Sequence, residues 1–129
     1  VEINDIKLID RIHLTGYVVN TDLPAIYNLS KLFLYPSLRE SFGIPMLEAM
    51  ACGTPVITSN TSSMPEVADD AALIIDPFKT EDITDAIILL LNNSELRHQL
   101  IEKGYKRASK YTWNAMAENV HKIYMEVLK

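Results

Sequence analysis

Cys52 is the only cysteine among the 129 residues of this chain. A lone thiol excludes an internal disulfide and fits a reducing compartment. No stretch approaches the ~18 successive apolar residues that a membrane-crossing helix requires. The opening VEINDIKLID lacks the basic start, apolar run and small-residue cleavage site of a secretory signal, and it lacks an initiator Met, so a fragment or trimmed chain is expected. With only four glycines there is no G-x-G-x-x-G and no P-loop, which removes ordinary dinucleotide and NTP sites. His13, His98 and His121 share no metal-ligand spacing, and neither a metal nor a cofactor is expected. Positive charge is also short: 12 Lys and Arg face 17 Asp and Glu, a net −5. Nucleic-acid binding rests on neutralising phosphates, so no nucleic-acid partner is expected.

What is present is an ordinary globular mixture, 48% apolar and 22% charged, enough for one domain spanning residues 1–129. Four short apolar runs read as strands: Ile12–Leu14, Leu32–Tyr35, Pro55–Thr58 and Ala72–Ile75. None alternates cleanly, which predicts strands covered on both faces, as in a parallel sheet. Helical stretches lie between them. Asp22 to Asn28 starts with an N-cap candidate and Pro24, and Pro45 to Ala51 runs from Gly43 to Gly53. Ser63 to Ala68 carries the capping-box spacing Ser63-x-x-Glu66. This alternation predicts a mostly parallel α/β sheet. After Asp76-Pro77 only helices follow. Thr80 is expected to cap one whose Ile83, Ala86, Ile87, Leu90 and Leu91 share a face. Ser94 is expected to cap the next, to about Tyr111, and Thr112 a last one striped by Met116, Val120, Ile123 and Val127. This helical tail is expected to pack on the sheet or along its edge.

Open α/β sheets bind ligands at the carboxyl ends of their strands, which directs attention to the segment after Tyr35. It reads PSLRESFGIPMLE, Pro36 to Glu48: a loop, a glycine, then a helix start. Free amides at a helix start suit an anion, and Gly43 lets a diphosphate approach the backbone. Glu40 precedes that glycine and Glu48 lies about one turn inside the helix. Ionised carboxylates accept paired hydrogen bonds and so suit the vicinal hydroxyls of a hexose or ribose. The same residues also read as surface glutamates beside a helix dipole.

Glu40, seven intervening residues and Glu48 resemble the E-x7-E signature of the retaining GT-B glycosyltransferases of group 1, the GT4-type family. FLYPS before the signature, LEAMACGTPVITS after it, then Pro65-Glu66-Val67, Leu73 to Pro77 and Tyr111-Thr112-Trp113, are similar in order. The resemblance runs from about Ile12 to Lys129. It implies an α/β, Rossmann-like parallel sheet: the C-terminal, donor-binding half of a GT-B fold, shortened on its N-terminal side, with a helical C-terminal tail. Glu40 would contact the donor hexose as the catalytic-site carboxylate. Ser41, Phe42, Gly43 and Ile44 would hold sugar and diphosphate, and Glu48 the ribose. The Gly16–Asn20 loop would meet the base through backbone near Val18. The implied reaction moves a hexose from GDP-mannose or a UDP-hexose to a glycan or lipid-linked acceptor, with retention. The acceptor would be held by an N-terminal domain absent from this chain. A cytoplasmic enzyme of polysaccharide or glycolipid synthesis is implied, with peripheral contact at the inner membrane face.

The family's Arg–Lys pair, which steadies the departing diphosphate, falls before Ile12; Lys7 and Arg11 do not sit in its context, and Arg39 occupies a position the family varies. The isolated chain is therefore expected to bind donor weakly and not to transfer sugar, and a bare sheet edge would invite self-association. Rival readings are a glycogen/starch-synthase-like or sucrose-synthase-like glucosyltransferase, and a non-catalytic nucleotide-binding or receiver-like α/β module. Lys103, Lys106, Arg107 and Lys110 form a basic helix face, either solvated or turned to anionic lipid. His13 and Trp113 read as structural, Cys52 as a small buried filler, and Asp69-Asp70 as a turn. Glu66 reads equally as a capping-box partner or as a neighbour of the donor pocket.

Overall fold

A computed structural model describes residues 6–128, and the readings of Val1 to Asp5 and of the Lys7 side chain concern positions outside that description. The elements in chain order are α1 (Ile6–Ile9), α2 (Leu23–Leu29), β1 (Phe33–Tyr35), α3 (Ile44–Ala51), β2 (Val56–Ser59), α4 (Met64–Ala68), β3 (Ala72–Ile75), α5 (Thr80–Asn92), α6 (Ser94–Ala108) and α7 (Trp113–Val127). The three strands form one sheet in the order β1-β2-β3. Both pairings are parallel, with Leu34 opposite Ile57 and Ile57 opposite Leu73.

Successive strand residues face opposite sides, and both sides are filled. Phe33, Tyr35, Val56 and Ala72 join Tyr27, Met46, Leu47, Met50, Met64 and Val67 in one core, supplied by α2, α3 and α4. Leu34, Ile57, Leu73 and Ile75 join Ala86, Leu90 and Leu100 in the other, supplied by α5 and α6. Every residue of β2 is therefore buried, which is why its run VITS shows no alternation.

Local chemistry sets the boundaries. Pro24 and Pro45 sit in the first turns of α2 and α3, where a missing N–H costs nothing. Gly53, at φ +75°, ends α3 in the left-handed region. Helix α6 crosses α3 closely at Gly104, where an added Cβ would lie 3.3 Å from the Met50 side chain.

Several expectations need correction. Ile12–Leu14 is exposed and not a strand: its backbone groups find no ladder partner among the described residues, and a short apolar run is no strand without one. His13, read as structural on that premise, is exposed. Thr80 is the first residue of α5 rather than its cap, because the extended backbone is at Lys79. Asn93, not Ser94, caps α6, accepting the Leu96 amide at 2.9 Å, and the helix stops at Ala108. Leu91 is exposed, off the buried face of α5. Thr112 does cap α7, accepting the Ala115 amide at 3.1 Å. That helix nevertheless buries none of its residues; Trp113 is 82% exposed and no packing anchor. Both faces of the sheet are already covered by α2 to α6, so the stripe on α7 finds no bare strand to dock on.

Core and tail should therefore answer differently to truncation. Leu90→Ala, at a side chain with no exposure, should cost about 2–5 kcal/mol in urea unfolding. Ile123→Ala on α7, 58% exposed, should change stability by less than about 0.5 kcal/mol.

Candidate functional site

Parallel pairing puts the loops after β1, β2 and β3 at one end of the sheet. The first of these, Pro36 to Gly43, carries the carboxylate Glu40 and opens α3. Hydroxyls from the end of β2 and from the loop after it bind this segment and the end of β1. Thr58 Oγ1 donates to the Tyr35 carbonyl at 3.0 Å. Ser59 Oγ and Thr61 Oγ1 both donate to the Ser37 carbonyl, at 2.5 and 3.0 Å. Ser62 Oγ and Ser63 Oγ both donate to the Glu40 carbonyl, at 2.6 and 3.1 Å, and Ser62 Oγ also accepts from the Glu40 amide. Ser62 does this from φ +56°, a conformation that non-glycine residues adopt at a cost. The backbone around Glu40 is thus fixed from a segment 22 residues further along the chain.

The Ser63 hydroxyl is consequently spent on Glu40, and Ser63 forms no side-chain cap on α4. The expected capping box with Glu66 does not form; Glu66 is exposed. The resemblance put Ser59 to Glu66 near the donor pocket, and the residues of that segment that reach Glu40 are Ser62 and Ser63.

Two tyrosines hold the two carboxylates. Tyr35 Oη donates to Glu40 Oε2 at 2.6 Å, while Glu40 Oε1 accepts the Ser41 amide at 3.0 Å. Tyr27 Oη donates to Glu48 Oε2 at 3.3 Å. The rings are linked: Tyr27 meets Phe33 edge-on at 5.3 Å, and Phe33 stacks on Tyr35 at 5.6 Å. Glu40 and Glu48 therefore stand at the two ends of one aromatic strip. The hydrogen bond from Tyr35, then the Ser41 amide, holds the Glu40 carboxyl below its ordinary range. In return the bond to Glu40, then burial, pushes Tyr35 up to about 12. Burial, then the Glu48 carboxylate, pushes Tyr27 up to about 12.

Between the carboxylates run the amides of Phe42, Gly43 and Ile44; that of Phe42 is turned toward the Glu40 carboxylate, while those of Gly43 and Ile44 find no backbone acceptor among the described residues. Gly43 has φ +94°, and an added Cβ would collide with the terminal methyl of the buried Met64. Both the turn and the packing exclude a side chain there. Phe42 is half-exposed and packs edge-on against Tyr111 at 5.4 Å. Arg107 lies over the Tyr111 ring, 5.2 Å from its centroid, and its guanidinium also binds the Glu66 and Val67 carbonyls and Asp69.

The structure thus brings Glu40, Ser41, Phe42, Ile44 and Glu48 together around a buried Gly43. Gly16 and Val18 lie in a loop that makes only local hydrogen bonds among the described residues; Gly16 has φ +63° with open space around it. Arg39 is exposed, and Cys52 is half-buried against the core. Asp69-Asp70 is a turn, tied to Arg107 at 3.3 Å and to Lys103 at 2.9 Å. Half of the basic face is spent on those pairs. No helix of the described residues is long and apolar enough to cross a membrane.

Sequence reasoning missed Tyr27 and Tyr35 as carboxylate partners and Ser62 as the clamp on Glu40. The only signal for the tyrosines was a phenol at either end of the Tyr27–Tyr35 segment, with no spacing rule to pair it with an acid.

The family model "Glycosyl transferases group 1" matches residues 2–107. O-antigen chain mannosyltransferase B of Escherichia coli is 42% identical over 98 residues, covering 76% of this chain and 26% of the relative. Sucrose-phosphate synthase from Thermosynechococcus elongatus superposes with a TM-score of 0.84 at 27% identity, covering 95% of this chain and 31% of that one. The C-terminal domain of a group 1 glycosyl transferase from Francisella tularensis does so with a TM-score of 0.65 at 28% identity, over 74% of this chain and 50% of that one. The chain spans about a quarter or less of the length of the first curated relatives it matches. The fold is that of the GT-B glycosyltransferases.

The tyrosines give the site a signature in alkali. Their folded values lie above the ordinary 10.0, so the stability they contribute is complete below about pH 10 and is lost as pH climbs through about 12. A phenolate absorbance titration should show a late phase near pH 12. Tyr27→Phe and Tyr35→Phe should each remove one phenol from it, and Tyr35→Phe should also return the Glu40 carboxyl toward its ordinary range by NMR.

Proposed function

The chain belongs to the group 1 glycosyltransferases, and on that premise we propose that it is the part of the enzyme that holds a nucleotide-diphosphate-sugar donor. The observation that carries this reading is the arrangement along Glu40 to Glu48: two ionisable carboxylates on a shared aromatic strip, with the amides of Gly43 and Ile44 unengaged between them among the described residues. In this reading Glu40 receives hexose hydroxyls and Glu48 the ribose diol, each through oxygens that accept paired hydrogen bonds. The amides of Phe42, Gly43 and Ile44 take the diphosphate, helped by the positive end of α3. As the bond from the anomeric carbon to the phosphate oxygen breaks, the electron pair stays with the diphosphate. Fixed amides then meet growing negative charge without having to reorient, which is where they lower the barrier. The Gly16–Asn20 loop, near Val18, receives the base.

The full reaction proposed is hexose transfer to a glycan or lipid-linked acceptor with retained configuration, the acceptor being held by a domain outside this chain. Likeness to a mannosyltransferase favours GDP-mannose. A glucose donor is the second reading, favoured by the closeness of fold to sucrose-phosphate synthase. A cytoplasmic location fits the single, half-buried thiol. Contact with the inner membrane face would fall to Lys106 and Lys110, which have no ion-pair partner among the described residues.

Amide NMR on the ¹⁵N-labelled chain, with GDP, UDP, GDP-mannose and UDP-glucose at millimolar concentration, tests the proposal. The amides of Phe42, Gly43 and Ile44 should shift with the matching nucleotide, and Glu48→Ala should abolish those shifts. Silence in that loop with all four ligands would falsify the donor reading. A response at Glu40 and Ser41 no larger for the sugar conjugate than for the nucleotide would favour a non-catalytic nucleotide-binding module instead.

A further inference from the structure

The two carboxylates are anchored unequally, and the inequality assigns a task to each tyrosine. Tyr35 reaches Glu40 at 2.6 Å from the end of β1, and Glu40 accepts the Ser41 amide with its other oxygen. Both oxygens of Glu40 are thereby oriented, and the Phe42 amide and Ser41 hydroxyl are turned to the same carboxylate. Tyr27 reaches only Glu48 Oε2, at 3.3 Å, and Glu48 Oε1 has no partner among the described residues. Neither phenol is free to wander. Tyr27 is buried, its carbonyl accepts Thr54 Oγ1 at 2.6 Å, and its ring is braced by Phe33, which in turn stacks on Tyr35. Phe33 and Tyr35 are two residues apart on one strand and so share a face. A single strip of three rings thus sets where both acids stand.

We propose, building on the donor reading above, that Tyr27 and Tyr35 are positioning residues that separately tune the two halves of the ligand. Tyr27 aims Glu48 at the nucleoside diol, and Tyr35 aims Glu40 at the hexose. A phenol that donates to one carboxylate oxygen removes that side chain's rotational freedom before the ligand arrives, so the ligand does not bear that ordering cost. Each hydroxyl touches one acid only, so its removal should be felt by one moiety only.

The test compares affinities of the chain for a nucleoside diphosphate and for its hexose conjugate, using GDP with GDP-mannose and UDP with UDP-glucose. Tyr27→Phe should weaken nucleotide and conjugate by the same factor, roughly 3- to 10-fold, as expected for losing one hydrogen bond. Tyr35→Phe should leave the nucleotide unchanged and weaken only the conjugate, by a similar factor. A purely structural role would lower the melting temperature without producing that split. Glu48→Gln and Glu40→Gln serve as references. If they weaken binding while both phenylalanine variants bind as the parent does, or weaken both ligands alike, the positioning assignment is wrong and the donor reading stands. If the two glutamine variants also bind as the parent does, the donor reading itself falls. Should Tyr27→Phe unfold, 3-fluorotyrosine at that position keeps the ring and strengthens the donor. At mildly acidic pH it should tighten nucleotide and conjugate together, and unchanged affinity would overturn the assignment.

Discussion

The row of hydroxyls from Thr58 to Ser63, bonded to the carbonyls of Tyr35, Ser37 and Glu40, is the constraint on which the site depends. A loop between a strand end and a helix has backbone groups that no ladder satisfies, and here they are met by side chains from the end of β2 and the loop after it. Five short side chains, each with little entropy to lose, fix the loop more tightly than long charged ones would. The Glu40 carboxylate lies outside that row of hydroxyls, held instead by Tyr35 and by the Ser41 amide of its own loop. Ser62 accepts a left-handed backbone to complete this arrangement, a local cost borne where the loop must be held.

The core beside that loop combines soft and aromatic packing. Met46, Met50 and Met64, all without significant exposure, form the floor under Gly43 and α3. Flexible thioethers fill an irregular space that branched residues would leave partly empty. The Tyr27–Phe33–Tyr35 strip is rigid by contrast, with few rotatable bonds and edge-on or stacked contacts. Rigid rings set the acids and compliant sulfurs support the backbone between them. For the diphosphate contact proposed above, donors must be preorganised while the backbone stays close to the ligand, and this division of labour would serve both.

Much of the fold could be read from the chain. Apolar runs without alternation located β1, β2 and β3 within a residue, because burial on both faces erases the period of two. Pro45 and Gly53 marked α3 because both act through the local backbone. Ile12–Leu14 deceived because a strand is a property of pairs, and composition says nothing about a partner. Caps at Lys79 and Asn93 each lay one residue before the hydroxyl residue expected, since the backbone angle and not the side chain decides where a helix starts. Within the site, the glutamates and the glycine were legible from their order along one segment. Ser63 was misread as a cap because its acceptor, the Glu40 carbonyl, lies 23 residues away, beyond the reach of any spacing rule. The stripe on α7 was real as a pattern and wrong as a statement of packing: amphipathicity tells which face is apolar, not whether anything covers it.

Arg107 ties the end of α6 to α4 through the Glu66 and Val67 carbonyls, and to Phe42 through Tyr111. The last turn of α6 and the amide loop are therefore joined by one chain of contacts, from Arg107 through Tyr111 to Phe42. Any excursion that frays this turn also loosens Phe42, so local openings of the two regions share a free energy. An occupant bound only at Phe42 to Ile44 would draw on the same equilibrium and suppress fraying at a helix it never touches. Slowed amide–deuterium exchange near Arg107 would thus be a remote reporter of whether the Phe42–Ile44 segment is occupied.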